Sequence, residues 1–193
     1  MRVIAGLAKG RNLISPTGST RPTSDRAREA LFSSLESEFG SLNDLTFLDL
    51  YCGSGAVGVE ALSRGAAVVT GVDNDEKATS IARQNFQLIE KISGIGSYSV
   101  TTMSCGKYLD RPADYAFDII FLDPPYEISN KEVEKNLSDL VNNSYVKKST
   151  VVAIERDSKA RPLEWPSPLR EVKVRKYGAA TIYYAELATQ YAE

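Results

Sequence analysis

The stretch FLDLYCGSGAVGVEAL, residues 47–62, decides which fold the sequence predicts. It begins with a mostly apolar run typical of a buried strand, and a helical pattern of apolar residues starts near residue 56. Between them, Gly53, Gly55 and Gly58 have the spacing G-x-G-x-x-G. A strand, a glycine turn and a helix in this order are typical of an α/β unit whose turn approaches a nucleoside-containing ligand closely.

The rest of the chain continues this alternation. Strands are predicted over 46–51, 67–72, 98–103, 117–122 and 150–155. Helices are predicted near 56–64, 75–91, 104–110 and 131–143. The last segment, LREVKVRKYGAATIYYAEL, predicts two further strands that turn near Gly178. Strands separated by helices form parallel sheets, so we expect a doubly wound, mostly parallel seven-stranded sheet with helices on both faces and an antiparallel C-terminal hairpin.

The first 40 residues precede this alternation and predict a small extension. Residues 1–15 alternate loosely and contain two glycines, which favours a short β-hairpin. A helix follows, with Thr23 or Ser24 as its candidate N-cap. We therefore expect a single domain over residues 1–193, with an RNA-binding extension over 1–40 and a catalytic core over 41–193.

Composition excludes several kinds of chemistry. The chain has two cysteines and no histidine, so we expect neither a zinc site of Cys and His ligands nor a nucleophile activated by histidine. No apolar run approaches the ~20 residues that span a bilayer, and the N-terminus lacks the long apolar segment of a secretory signal. We expect a cytoplasmic protein, without a metal or a membrane partner, that works through carboxylates, backbone groups or a bound cofactor.

Charge is distributed unevenly in a chain whose net charge is −2. Residues 1–30 and 156–176 are basic, whereas the region between them is acidic. This distribution is typical of a protein that touches a polyanion with part of its surface, although solvated surface charge is the alternative. In the first segment, we select Arg11, Arg21 and Arg26 as contacts to RNA phosphates. The competing explanation is that arginines of this segment pair with acids of the middle region and brace the extension.

Two carboxylates accompany the glycine turn. Asp49 lies inside the first strand, and Asp73 ends the second strand 20 residues after Gly53, where an acid can hold a ribose diol. Asp49 would oppose the anionic pyrophosphate of NAD, whereas it would attract the ammonium and sulfonium groups of S-adenosylmethionine. The pattern therefore favours S-adenosylmethionine but does not decide the matter, and close packing of strand and helix is another explanation of the glycines.

The fourth strand ends in DPPY, residues 123–126, at the sheet edge that carries the glycine turn. Asp123 and the carbonyl of Pro124 offer two acceptors for the N–H groups of an exocyclic amine. Pro124 and Pro125 fix φ and stiffen the turn, and Tyr126 offers a face on which a flipped base can stack. The turn thus predicts a rigid clamp for a planar amine, with a simple proline turn as the alternative.

The sequence resembles the S-adenosylmethionine-dependent methyltransferases, and in particular the bacterial 16S rRNA guanine-N2 methyltransferases that modify guanine 966. The segments MRVIAGLAKGRNL and RPTSDRAREALF are similar to that family's N-terminal signatures, and LDLYCGSGAVGVEALSRGA is similar to its cofactor loop. The resemblance implies that residues 123–126 hold the target amine. The candidate cofactor contacts are Asp49, Tyr51, Gly53, Ser54, Gly55, Asp73, Asn74 and Cys105. At Cys105 the family often has Asn or Asp, which reads the adenine amino group.

The resemblance implies N2-methylation of a guanine in 16S ribosomal RNA, either as free RNA or in a partly assembled small subunit. DNA adenine-N6 and protein glutamine methyltransferases use the same clamp, but this short chain leaves little room for a DNA target-recognition domain. A non-catalytic RNA-binding module is the alternative from another class, and the presence of Asp49, Asp73 and DPPY argues against it. Nothing in DPPY serves the hydride transfer of a dehydrogenase.

Overall fold

The computed structural model describes residues 1–15 and 25–188. Its strands are β1 (Thr46–Leu50), β2 (Val68–Asp73), β3 (Ser97–Thr102), β4 (Phe117–Leu122), β5 (Val146–Asp157), β6 (Leu169–Tyr177) and β7 (Ala180–Leu187). They form one sheet in the order β3-β2-β1-β4-β5-β7-β6. Strands β1 to β5 are parallel, and β7 runs antiparallel to both β5 and β6. The predicted fold class is confirmed.

Helices cover both faces of this sheet. The helices are α1 (Asp25–Phe39), α2 (Ala56–Ser63), α3 (Glu76–Gln87), α4 (Cys105–Leu109) and α5 (Asn130–Asn142). The first three contribute to the core on one face, and α4 and α5 contribute to the core on the other. The helix predicted over 75–91 ends early, because after Gln87 the backbone adopts tighter turns such as the bond from Ile92 N–H to the Ile89 carbonyl. The candidate caps Thr23 and Ser24 lie outside the described residues.

The central strand β1 determines where a ligand can bind. Its residues 47–50 are all buried, as expected for a parallel strand covered on both faces. Chain order reverses at this strand, because β2 lies on one side of β1 and β4 on the other. In doubly wound sheets the crevice outside the carboxyl ends of the strands, at such a switch point, is where ligands bind.

The predicted N-terminal hairpin is reduced to a single bridge between Arg2 and Asn12. The segment packs on α2: the N–H groups of Ile4 and Ala5 donate to the Glu60 carboxylate at 2.8 and 3.0 Å. Gly6 adopts a φ of 79°, and a Cβ there would collide with the backbone of Ser63. Only glycine fits this close approach, and the extension is therefore part of the outer layer of the fold.

A buried ion network fixes the same junction. Glu60 and Arg28 are both 0% exposed, and Arg28 Nε lies 3.7 Å from Glu60 Oε2. Arg28 Nη2 also donates to the carbonyl of Arg2 at 2.6 Å, and Arg64 Nε donates to Glu60 Oε1 at 2.8 Å. The bracing explanation of the basic N-terminal segment therefore holds for Arg28, which pairs with an acid of the middle region.

Replacing Glu60 by glutamine is expected to lower the free energy of unfolding by about 3 kcal/mol, because removing one partner of a buried pair leaves an uncompensated charge. Urea denaturation of the purified protein measures this change. Glu36→Gln is the matched control, since Glu36 is the 41%-exposed partner of Arg64 and its pair should contribute under ~1 kcal/mol. Equal destabilisation by the two variants would contradict the structural importance of Glu60.

Candidate active site

Two loops meet at the carboxyl edge of the sheet, one after β1 and one after β4. The first is the glycine turn, and the second is the DPPY turn. The N–H of Asp123 donates to the carbonyl of Leu50 at 3.3 Å, which joins the start of the second turn to the end of β1. The two sequence motifs that were predicted separately therefore form one crevice.

The glycines of the first turn have different functions. Gly53 has a φ of 52°, and a Cβ placed there would meet nothing within 4 Å, so the space beside it is open to a ligand. By contrast, a Cβ on Gly55 would lie 3.0 Å from Ala82 Cβ, and one on Gly58 would lie 2.8 Å from the ring of Phe86. Gly53 leaves open space beside the turn, whereas Gly55 and Gly58 permit α2 and α3 to pack closely.

Asp49 lies beneath this turn and is 2% exposed. Its Oδ2 accepts a hydrogen bond from the N–H of Gly58 at 3.1 Å. Burial raises the pKa of Asp49 to about 8 against the effect of that hydrogen bond, and the negative charges of Asp123 and Asp73 raise it further. Three carboxylates therefore converge on one crevice, and this arrangement favours a cationic ligand.

Asp73 connects the ends of two elements. Its Oδ2 accepts from the N–H of Gly53 at 2.8 Å, and its Oδ1 accepts from the N–H of Asp75 at 2.9 Å. The neighbouring Asn74 is exposed. Each carboxylate oxygen can accept a second hydrogen bond, so Asp73 can also receive ribose hydroxyls.

Cys105 lies behind the crevice. It is buried, and burial raises the pKa of its thiol to about 12. It contacts Tyr51, whose hydroxyl accepts from Asn136 Nδ2 at 2.7 Å and whose pKa is raised by burial. Ser104, the N-cap of α4, is exposed next to Cys105. The cofactor contact at Cys105 stays a prediction, and in the structure Cys105 packs against Tyr51.

In the DPPY turn, the first two residues are less exposed than the last two. Asp123 is half-buried and Pro124 is buried, whereas Pro125 and Tyr126 are exposed, Tyr126 by 46%. The N–H of Ile128 donates to the carbonyl of Pro125 at 3.1 Å and closes the turn. The turn thus has an acid at its buried end and an aromatic ring at its open end.

Arg156 holds the far end of the DPPY turn, although sequence reasoning counted it in the basic stretch 156–176. The structure corrects that assignment: Arg156 is 4% exposed. Its Nη2 donates to the carbonyl of Ile128 at 3.2 Å and to Asn130 Oδ1 at 3.0 Å. The only sequence signal was its position at the end of an apolar strand.

Asn85 is a second residue that sequence reasoning missed. It is 0% exposed on α3, and its Oδ1 accepts from the N–H of Ile14 at 2.7 Å. Its Nδ2 donates to the carbonyls of Ile14 and Ser54, at 3.0 and 2.9 Å. One buried amide therefore connects the N-terminal extension to the glycine turn. The sequence signal for Asn85 was a polar residue next to the apolar Phe86.

Of the arginines selected for RNA phosphates, Arg11 and Arg26 lie away from this crevice. Arg11 and Arg26 are exposed, and Arg21 lies outside the described residues. Arg11 lines a groove of about 600 Å³ together with Lys9 and the apolar Leu88. Arg26 lines a neighbouring cleft of about 330 Å³ that also contains Lys9. Both clefts are on the extension and not at the carboxyl edge of the sheet.

The described parts of the chain contain neither a metal-binding cluster nor a membrane-spanning helix. Over residues 1–15 and 25–188, His, Cys, Asp and Glu side chains form no group of three or more suited to a metal ion. None of the helices described above has both the length and the apolarity needed to cross a bilayer.

The model of the family described as Conserved hypothetical protein 95 matches residues 1–186. The chain belongs to this family. A relative from Haemophilus influenzae, named ribosomal RNA small subunit methyltransferase D, is 32% identical over 180 residues, which are 92% of this chain and 89% of the relative. The Escherichia coli K12 protein of the same name is 32% identical over 160 residues, which are 81% of this chain and 75% of that protein.

Structural comparison agrees with the family assignment. The Escherichia coli methyltransferase-fold protein yhhF has a TM-score of 0.83 and 26% identity, with 98% of this chain and 99% of that chain covered. Extension and core are thus both present in a solved structure of similar length. By family and by fold, the chain is a methyltransferase of Rossmann-like architecture.

Proposed function

We propose that this chain transfers the methyl group of S-adenosylmethionine to the N2 amine of a guanine in 16S ribosomal RNA. The observation that carries the proposal is the convergence of Asp123 with Asp49 and Asp73 at the crevice between β1 and β4. This convergence supports an amine clamp beside a site for a cationic nucleoside. The names of the two relatives, both rRNA methyltransferases of the small subunit, support the choice of substrate.

The residues at the glycine turn fit S-adenosylmethionine, which supplies an electrophilic methyl group when bound. Asp49 attracts the positive charge of this cofactor, because a buried acid among other acids lacks a compensating cation. The open space beside Gly53 accommodates the ligand, and Asp73 accepts hydrogen bonds from the ribose. We expect the adenine to lie near the start of α4, where Ser104 is exposed.

The DPPY turn positions the guanine. The lone pair of an exocyclic amine is delocalised into the base, so N2 is a poor nucleophile until acceptors hold its N–H groups. Asp123 and the Pro124 carbonyl are these acceptors, and the two prolines limit the reorganisation that the reaction requires. The exposed ring of Tyr126 stacks on the flipped base, a contact worth ~1–3 kcal/mol.

Replacing Asp73 by alanine is expected to weaken the binding of S-adenosylmethionine by about 1.5–3 kcal/mol, the usual contribution of hydrogen bonds to a charged group. Titration calorimetry on the folded variant measures the change. Asp75→Ala is the matched control, because Asp75 caps α3 through the N–H of Lys77 at 2.8 Å and only helix stability should suffer. Unchanged cofactor affinity in Asp73→Ala would remove this residue from the site.

Incubation with labelled S-adenosylmethionine tests the whole proposal. Separate pools of naked 16S rRNA, small-subunit particles, DNA and protein are offered, and labelled nucleic acid is digested to nucleosides. We expect label in N2-methylguanosine from one of the two ribosomal pools. Label in DNA adenine or in protein would overturn the substrate assignment, and absence of label from every pool would favour a non-catalytic RNA-binding module.

A further inference from the structure

Four exposed cations lie at the carboxyl edge of the sheet, on the far side of the DPPY turn from the glycine turn. They are Lys159, Arg161, Arg175 and Lys176, called here the edge cluster. We propose that the edge cluster holds the RNA phosphates next to the target guanine. This inference rests on the proposed function, because the bound guanine is what brings phosphates to this edge.

Strand directions bring the edge cluster to the DPPY turn. Strand β5 runs parallel to β4, so Asp157 at its end lies at the same edge as Asp123. Asp157 pairs with Ala180 at the start of β7, and Ala180 pairs with Tyr177 at the end of β6. The ends of β4, β5 and β6 therefore lie along one edge, and Arg175 and Lys176 are within two residues of the end of β6.

Hydrogen bonds through Asn130 fix Arg161 beside the DPPY turn. Asn130 Nδ2 donates to the carbonyls of Arg161 and Pro162 at 3.1 and 3.2 Å. Its Oδ1 accepts from Arg156 Nη2, and the same nitrogen donates to the carbonyl of Ile128 at the end of the turn. The backbone at Arg161 is therefore held at a defined position relative to the DPPY turn. This favours a contact with one particular phosphate over non-specific electrostatic attraction.

A second set of bonds holds Lys159 near the β6–β7 turn. The N–H of Lys159 donates to Asp157 Oδ1 at 2.8 Å, and the N–H of Ser158 donates to the carbonyl of Ala179 at 2.9 Å. Lys159 is thereby brought towards Lys176. Two acids lie close by in the sequence. Asp157 is two residues before Lys159, and the exposed Glu127 directly follows the DPPY turn.

Within the part of the chain that the structure describes, no acid pairs with the edge cluster, and Arg175 Nη1 donates to the neutral carbonyl of Val174 at 3.2 Å. None of its four side chains takes part in the ion pairs found there. In contrast, Arg156 is buried in the fold, and Lys173 lies over the ring of Tyr184 at 5.4 Å. An uncompensated group of cations beside a base-binding turn matches a polyanion in charge and in position.

Alanine substitutions at Lys159 and Arg161, alone and together, test this inference in the full-length protein with naked 16S rRNA or small-subunit particles. We expect the KM for RNA to rise severalfold per substitution. The log–log dependence of RNA affinity on salt should lose about 0.7 per charge removed. The turnover number at saturating RNA and the Kd for S-adenosylmethionine should stay at wild-type values. Arg161→Lys, which keeps the charge, should keep the salt dependence.

Lys148→Ala is the matched control, because it removes one exposed positive charge at the opposite end of β5. The proposal is overturned if Lys148→Ala changes the KM and the salt dependence as much as Arg161→Ala does. A double variant with wild-type RNA binding overturns it as well. Failure of the proposed function would look different, since the wild-type enzyme would then leave the RNA unlabelled.

Discussion

Asp123→Ala is expected to lower kcat about a hundredfold or more, with the Kd for S-adenosylmethionine close to the wild-type value. The magnitude follows from the cost of removing one preorganised hydrogen-bonding group that acts on the reacting atoms, about 10²–10³ in kcat. Asp123 lies at the buried end of the DPPY turn, where its proposed contact is to the target amine and not to the cofactor. Single-turnover kinetics with saturating RNA and calorimetry with the cofactor measure the two quantities separately.

Tyr126→Phe is the control for this variant, because it keeps the ring on which the base stacks and alters only the hydroxyl. It should retain most of the wild-type activity, whereas Tyr126→Ala should lose activity together with the stacking contact. Robust turnover by Asp123→Ala would mean that the amine is activated by other groups, and the clamp mechanism would be abandoned.

The affinity for S-adenosylmethionine is expected to increase with pH, approaching tenfold per pH unit, until about pH 8. Burial raises the pKa of Asp49 to about 8 in the free protein, so Asp49 is mostly protonated at pH 6. A cationic ligand stabilises the ionised carboxylate, and binding below pH 8 therefore releases a proton. Linkage then requires that affinity rise as the proton concentration falls. Calorimetry at pH 7 in two buffers of different ionisation enthalpy should show release of close to one proton.

Asp49→Asn is the control, since the asparagine side chain does not titrate. Its affinity for S-adenosylmethionine should be lower and nearly independent of pH in this range.

The pH dependence of the free energy of unfolding has the opposite sign to that of cofactor binding. A raised pKa means that the contribution of Asp49 to stability is complete below its unfolded pKa near 3.8 and is lost as pH rises through about 8. Bound S-adenosylmethionine should offset this loss of stability. Binding of the cofactor to wild type without proton release would exclude Asp49 as its partner.

The fold was predictable because its signals are local. The apolar run before Gly53, the glycine turn and the DPPY turn each occupy a few consecutive residues, and strand order follows from their alternation with helices. The hydrogen bonds that fix the site are different in kind. Asn85 and Ile14 are 71 positions apart, and Arg156 and Ile128 are 28 apart, so no local pattern shows that they meet.

Charge and burial explain the remaining differences. Counting charges in the sequence placed Arg156 in a basic stretch, because a count does not show that the fold has buried this side chain beside acceptors. At the start of α4, Ser104 is exposed whereas Cys105 is buried, and the sequence does not show this one-residue difference. Periodicity locates a helix to within a residue or two, which is too coarse to decide between neighbours.

The attachment of the extension to Glu60 and Asn85 also has a consequence for biosynthesis. Residues 1–15 are synthesised before these docking partners, which follow 55 to 71 positions later in the chain. Residues 1–15 therefore remain undocked until β1, α2, β2 and α3 have been translated and have assembled. Residues 1–15 are thus made before this part of the fold but reach their final place after it.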